Sequence, residues 1–381
     1  MMLSNISNNV AKVSAAGSGK TYGICKEALS IASTGDRVLI TTYTNRGVEA
    51  IRKEIKAQND GVVNPRVVVK TWFVFILSDM IKPYQKYLTH MVNGIKGLDY
   101  SQAYGHVNYI SSTKKEKYIT SANNVRSNEA SNLVCKLNEA SKGKVIQRLE
   151  ETYKAIFFDE IQDMAGYDID IIHMLIESAV YIVCCGDNKQ ATFATHNTRK
   201  NRQRTGRNIW VFFSELAQRG VVEIKRNLAS RRFNSQICSF ANSVFPIGEP
   251  ITTIMKEVTG HDGVFLIRES DVDEYNCTFK PQVLRFDART KTGKYMAVNF
   301  GACKGETFER VIIFPNNPMR EFVLKKVPLG SPEKYYVAVT RAKYSIAIVM
   351  KRMPRMLEGY QAVTIDCGGK IIGALKYIAD K

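Results

Sequence analysis

Residues 13–23 read VSAAGSGKTYG, and the fold turns on how this stretch is read. A phosphate-binding loop has the spacing G-x-x-x-x-G-K-[ST]. Gly19, Lys20 and Thr21 satisfy it, but the first glycine would fall at position 14, where the chain has Ser14. Gly17 and Gly19 are retained, so the backbone N–H groups of Ala16, Gly17, Ser18 and Gly19 can cradle phosphates. Lys20 neutralises charge at the β and γ positions, and the Thr21 hydroxyl can ligate Mg²⁺. The run AKVSA (11–15) before the loop and the helical pattern KTYGICKEALSIAS (20–33) after it frame a strand, a loop and a helix.

The same rhythm continues outward. DRVLITTYT (36–44) leads into NRGVEAIRKEIKAQ (45–58), and YKAIFFDE (153–160) and AVYIVCCGD (179–187) read as buried strands ending in acidic or turn residues. Strands alternating with helices predict a mostly parallel sheet covered on both faces, with ligands beyond the C-terminal strand ends. AIFFDEIQD (155–163) sets Asp159 and Glu160 at such an end, where a Mg²⁺-associated carboxylate and a water-activating base belong. Two acids there could also simply open a helix, since the first turn favours negative charge. The phosphate loop upstream favours the catalytic reading.

A chain of 381 residues suits two or three domains, and 45% hydrophobic with 24% charged residues is an ordinary globular balance. The net charge of +18 is not ordinary. It points to a polyanionic partner, nucleic acid first and anionic membrane second, against the plainer reading of a generally basic surface. Eight cysteines are scattered without a C-x-x-C pair, which argues against a metal or cluster site and fits a reduced compartment. MMLSNISNNV lacks a secretory pattern, and apolar runs such as WFVFIL are too short to span a bilayer. A soluble, cytoplasmic protein with no membrane partner is expected.

Residues 76–150 break the alternation. Over 81–150 eleven Lys/Arg face five Asp/Glu, interleaved with Tyr84, Tyr87, Tyr100, Tyr104, Tyr109 and Tyr118. This predicts a small basic, helical insertion, which either grips a nucleic-acid backbone and stacks bases or is merely solvated. RKNRQRTGR (199–207) is likewise a phosphate-contacting or an exposed loop. Beyond about 220, GVFLI, KYMAVNF, RVIIF and YYVAVTRAKYSIAIVM predict a second α/β core. The expected domains are a first core in two parts (1–75 and 151–220), the insertion (76–150) and a second core (221–381).

With these pieces in place the chain resembles superfamily 1 helicases of the UvrD/Rep type, whose loops often read A-G-S-G-K-T. TTYTN (41–45) resembles motif Ia, which implies that Tyr43, Thr44 and Asn45 touch single-stranded DNA. KTWFVFIL (70–77) is similar to the next DNA-contacting segment, with Thr71 and Trp72. DEIQD (159–163) resembles motif II and GDNKQATF (186–193) motif III, which implies that Gln190 senses the γ-phosphate and Phe193 stacks on a base. NLASRRFNSQICSFAN (227–242) resembles motif IV with Arg232, GACKGETFERVIIF (301–314) motif V, and YYVAVTRAK (335–343) motif VI with Arg341.

The resemblance implies an α/β fold of two RecA-like P-loop NTPase cores with parallel sheets. It further implies ATP and Mg²⁺ as cofactors, and catalysis by Lys20, Asp159, Glu160, Gln190, Arg232 and Arg341 that depends on core closure. Its partner would be single-stranded DNA or a single/double-strand junction, tracked 3′ to 5′ by a monomer. RNA stays open, because stacking grooves do not inspect the 2′-hydroxyl by default. Trp72 and Phe193 read equally as core aromatics. The chain departs from the family in three ways. Residues 1–13 hold no glutamine to read adenine, and Tyr22 and Arg231 stand where an adenine-contacting pair is usual. KGETF replaces the commoner KGLEF or KGLTF, so that beside Gly305 the ribose or phosphate contacts at Glu306 and Thr307 are altered. The interval 233–303 is too short for the large insertion of bigger relatives. The competing readings are a nucleic-acid-stimulated ATPase switch or clamp working with a partner protein, and a small-molecule kinase, which would leave motifs Ia and VI and the charge without a use.

Overall fold

The computed structural model describes residues 9–88, 94–101, 109–196 and 200–378. Tyr104 and Arg199 lie outside the described residues. Contacts within the chain divide it into two units. One takes the residues through Val13 with Lys20–Arg226, and the other takes Ser14–Gly19 with Asn227–Lys381.

The first unit is built on strands β1 (Asn9–Ser14), β2 (Val38–Thr42), β3 (Val67–Thr71), β4 (Ala155–Phe158), β5 (Tyr181–Gly186) and β6 (Val222–Asn227). They lie in the order β3-β2-β4-β5-β1-β6. β2 pairs in parallel with β3 and with β4, and β5 pairs in parallel with β4 and with β1. Alternation at period two gives each strand two apolar faces. Val38, Ile40, Ala155, Phe157, Val183 and Cys185 join one cluster, while Leu39, Ile156, Phe158, Ile182 and Cys184 join another on the opposite side. Helices α1 (Lys20–Ala32) and α2 (Asn45–Gln58) cover the first face with Ile24, Cys25, Ala28, Val48, Ile51 and Ile55, spaced as one helical stripe.

Helices α3 (Ala130–Ala140), α4 (Lys144–Thr152), α5 (Tyr167–Ile176) and α6 (Ile209–Gln218) cover the other face. Most of the basic stretch 76–150 therefore does not stand apart as a body of its own. Ile76, Met80, Leu133, Leu137, Val145 and Leu149 are buried in the same cluster as the strands. At roughly 1.5–3 kcal/mol for each fully buried large aliphatic side chain, that apolar stripe outweighs the charges, which stay on the solvent side. Tyr118 is also in this core, with its hydroxyl donating to Ser112 O (2.9 Å).

The second unit holds β7 (Gly263–Arg268), β8 (Gln282–Arg285), β9 (Val298–Asn299), β10 (Phe308–Phe314), β11 (Ala342–Met350), β12 (Tyr360–Asp366) and β13 (Ile371–Tyr377). Their order is β9-β8-β10-β11-β7-β13-β12. The first five are parallel, and the β12–β13 hairpin closes one edge antiparallel. Val264, Leu266, Val311, Ile313, Ile346 and Ile348 face one cluster, and Phe265, Ile267, Ile312, Ala347 and Val349 the other. Helices α7 (Ser235–Val244), α8 (Val272–Phe279), α9 (Asn317–Lys325) and α10 (Pro332–Val339) pack on these faces. Elements of this fold thus occupy much of the interval 233–303. Two α/β cores with parallel sheets are what the alternation of strands and helices predicts. No helix among the described residues is long and apolar enough to cross a membrane.

Candidate nucleotide and nucleic-acid site

The phosphate loop follows β1 and ends where α1 begins at Lys20. Gly17 and Gly19 are left-handed, with φ of 74° and 87°. A Cβ at Gly19 would meet nothing within 4 Å, whereas one at Gly17 would lie 2.5 Å from Arg232 Cβ and 2.7 Å from Ser230 Oγ. Within the second unit the loop is braced by the segment that opens motif IV. Ala15 N–H donates to Asn227 O (2.9 Å), Asn227 Nδ2 to Ser18 O (3.2 Å), and Arg231 N–H to Gly17 O (2.9 Å). The Ser18 hydroxyl is buried without a hydrogen-bond partner. A buried, unsatisfied hydroxyl on a left-handed glycine turn, ahead of the amino-terminal N–H groups of a helix, fits a phosphate chain.

In the first unit Asp159 and Glu160 end β4. Asp159 is buried and its N–H donates to Thr41 O (2.8 Å); the Thr41 hydroxyl is buried with no partner. Lys20 and Asp159 both act on Cys185, pulling its thiol in opposite directions, while burial is the larger cause and lifts it to about 12. Lys12, Asp159 and Lys20 thus all lie within electrostatic reach of the Cys185 thiol on β5. Glu160 has a left-handed backbone (φ 57°). Its Oε2 accepts from Gln162 Nε2, and Gln162 Oε1 in turn accepts from Asp187 N–H (3.0 Å). Asp187 Oδ2 accepts from Gln190 Nε2 (2.8 Å), and its backbone O from Gln190 N–H (2.9 Å). Gln162, Asp187 and Gln190 are all buried. Gly186 permits this junction, because a Cβ there would collide with Gln162 Oε1 and approach Ile161 Cγ2 to 2.6 Å.

Arg232 and Arg341 converge within the second unit. Arg232 Nη1 donates to Thr340 O (3.1 Å), and Arg341, 1% exposed, donates from Nε to Val337 O (3.0 Å) and from Nη1 to Glu306 O (3.1 Å). Gly305, beside Glu306, is left-handed (φ 89°). Arg231 is exposed and Tyr22 is 53% exposed.

The predicted nucleic-acid contacts are all on the first unit, and they divide. Thr44 caps α2, its Oγ1 accepting from Gly47 N–H (3.0 Å), which sets Asn45 as the first helical residue. Tyr43 is half-buried against Phe73 (ring centroids 6.1 Å apart), and Phe193 is 41% exposed. Thr71 Oγ1 accepts from Val74 N–H (3.3 Å) at the end of β3. Trp72 corrects the expectation placed on it. It is fully buried against Phe75 and Phe158, and its indole N–H donates to Asp168 Oδ1 (2.8 Å), so no face is left to stack on a base.

Asp168 is itself wholly buried and accepts from Trp72, Ser131 and Thr195 as well as pairing with His196 Nε2 (3.0 Å). Burial works to raise its carboxyl, but His196 and the hydroxyls outweigh it and hold the group below the usual carboxylate range. Burial works to lower His196, but Asp168 outweighs it and raises the imidazole.

Residues 77–199 match the model of the UvrD/REP helicase N-terminal domain. Over that stretch the chain is similar to the UvrD-like helicases. Among solved structures it is similar to arterivirus nonstructural protein 10 (helicase) in a complex with DNA, at 14% identity and a TM-score of 0.46. That similarity covers 91% of this chain and 62% of the viral one. No curated protein matches the chain. Within the matched stretch, DEIQD takes on a structural meaning beyond its two acids. Gln162 and Asp187 join motif II to motif III, and sequence reasoning passed over both. The signal was present in the third residue after Asp159 and in the aspartate that opens DNKQ, but their partnership depends on β4 and β5 lying side by side.

Proposed function

We propose that this chain is an ATP-dependent helicase or translocase that moves on single-stranded DNA, 3′ to 5′. The observation that carries this reading is the hydrogen-bonded run from Glu160 through Gln162 and Asp187 to Gln190, three residues before exposed Phe193. It gives the base that activates water a direct connection to a loop that faces solvent with an aromatic ring. Lys20 and the loop N–H groups hold the β and γ phosphates. Thr21 and Asp159 would hold Mg²⁺, which supplies charge neutralisation at the phosphate oxygens. Glu160 accepts the proton of the attacking water, and the Gln162 amide fixes the orientation of its carboxylate. Arg232 and Arg341 would stabilise the charge that develops as the phosphoryl group is transferred. Tyr43 and Phe193 take bases by stacking, without sequence preference.

The way Val337 and Glu306 carbonyls hold Arg341 favours a second reading. In it the chain is a nucleic-acid-stimulated switch that clamps its track with a partner protein and does not unwind. Strand displacement from duplexes with a 3′ or a 5′ single-stranded tail separates the two. ATP-dependent displacement from the 3′-tailed duplex alone is expected. Stimulated hydrolysis with no displacement from either substrate would replace the motor by the clamp.

A further inference from the structure

β3 is the edge strand of the first sheet, and its sequence VVVKT carries three consecutive valines. Beside it lies a groove of about 1030 Å³ between α2 and β3. Val48, Ile55, Val67, Val69 and Val74 form its apolar floor, and Val63, 60% exposed, stands at its mouth. Arg52, Lys53 and Lys56 rim it against Glu49 alone, while Lys70 is held by Asp79 (2.7 Å). Val38 N–H donates to Arg66 O (2.9 Å), and the register β2–β3 then turns Val68 and Lys70 toward β2. Of the alternate residues, Val67 N–H is taken by Asn64 O (3.1 Å), while Val69 directs its N–H and C=O to the open edge. Arg52 Nη2 reaches over from α2 to donate to Val69 O (3.2 Å).

An apolar edge of this kind invites a further strand. Three features choose the occupant. The edge amide groups match an extended backbone. The valines match alternate apolar side chains of a strand, and no aromatic side chain lines the groove to stack a base, among the described residues. The rim is cationic, so a second copy of this chain would set like charges against each other. We infer that the groove docks an extended acidic segment of a partner protein. That segment pairs with β3, seats every second side chain on the valines and sets its carboxylates against Arg52, Lys53 and Lys56. Arg52 leaves Val69 O as the incoming N–H takes its place, and its guanidinium turns to a carboxylate. The site goes beyond the motor reading; Asn45 and Thr71, two of the expected nucleic-acid contacts, also line the groove, and the dT control separates the two occupants.

The test uses the full chain and a fluorescent ten-residue peptide of alternating Glu and Val, followed by anisotropy. Controls are a Lys–Val peptide, the Glu–Val peptide N-methylated along one edge, and a dT oligonucleotide. The acidic peptide should bind saturably, the Lys–Val peptide should not, and K53E/K56E should weaken the acidic peptide about tenfold or more. N-methylation keeps charge and side chains but removes donors, so it should abolish binding. Equal binding of the two unmethylated peptides, or undiminished binding of the N-methylated one, overturns the proposal. So does a K53E/K56E variant that weakens dT binding and leaves the peptide untouched, which would give the groove to nucleic acid. A dimer in sedimentation that K53E/K56E alters would overturn it in favour of a second copy.

Discussion

Glu160 sits in a left-handed backbone conformation that costs a non-glycine residue about 1–3 kcal/mol, and it is bonded to Gln162 at the junction of two motifs. Exchanging its carboxylate for an amide would remove the proposed base without removing the side chain's bulk. Glu160→Gln should therefore lower ATP turnover by about 10²–10⁴-fold while nucleotide binding, followed with a fluorescent ATP analogue, is retained. Gly17→Ala makes a different test. Its Cβ would meet Arg232 Cβ at 2.5 Å on a backbone already at φ 74°, so both loop geometry and nucleotide affinity should fail. The positions of Lys20 at the start of α1 and of Asp159 and Glu160 just after β4 were legible, because fixed spacings after apolar strands carry them. Trp72 was not, because an aromatic after a strand reads the same whether it faces a base or a buried carboxylate. Only the meeting of Trp72 with Asp168, far along the chain, decides it.

Among elements, the strands were readable as apolar runs, and the helices of the first face as 3.6-residue stripes. The opposite face was harder to see. In residues 76–150 the excess of lysine and the tyrosines draw the eye, while Leu133, Leu137, Val145 and Leu149 quietly supply the buried stripe. The Asp168–His196 pair ties four of these segments together: Trp72 after β3, Ser131 on α3, Asp168 on α5 and Thr195–His196 after motif III. Asp168 is lowered, so its share of stability is present above its unfolded value near 3.9 and is lost as pH falls below that. His196 is raised, so its share is full below about 6.5 and is lost as pH rises through its folded value. The pair should stabilise most between roughly pH 4 and 6.5. Thermal unfolding across pH should show the wild type losing stability above that window, and His196→Gln should lack this component. Removing the imidazole leaves a buried carboxylate unpaired, which costs about 3–5 kcal/mol where such pairs are broken. A flat wild-type profile across neutral pH would remove the ion pair from the account.

For the whole molecule, +18 was the plainest signal and the least specific one. It becomes an argument about partners only with an aromatic, solvent-facing loop tied to Glu160, the proposed base. Binding of a dT oligonucleotide should weaken steeply between about 50 and 200 mM salt, with a slope near −0.7 per phosphate contact. Phe193→Ala should lower affinity by about 1–3 kcal/mol if the ring stacks on one base, leaving that slope unchanged. Two units were visible in the sequence as two runs of strand and helix, whereas the bracing of Gly17 by Arg231 was not, since it joins residues more than two hundred positions apart. The central claim is that Glu160-dependent hydrolysis answers to nucleic acid. Steady-state ATP hydrolysis with and without single-stranded DNA, in the wild type and in Glu160→Gln, tests it most directly. The account predicts strong stimulation by DNA that vanishes in the variant. Turnover that is the same whether or not any nucleic acid is present would contradict it.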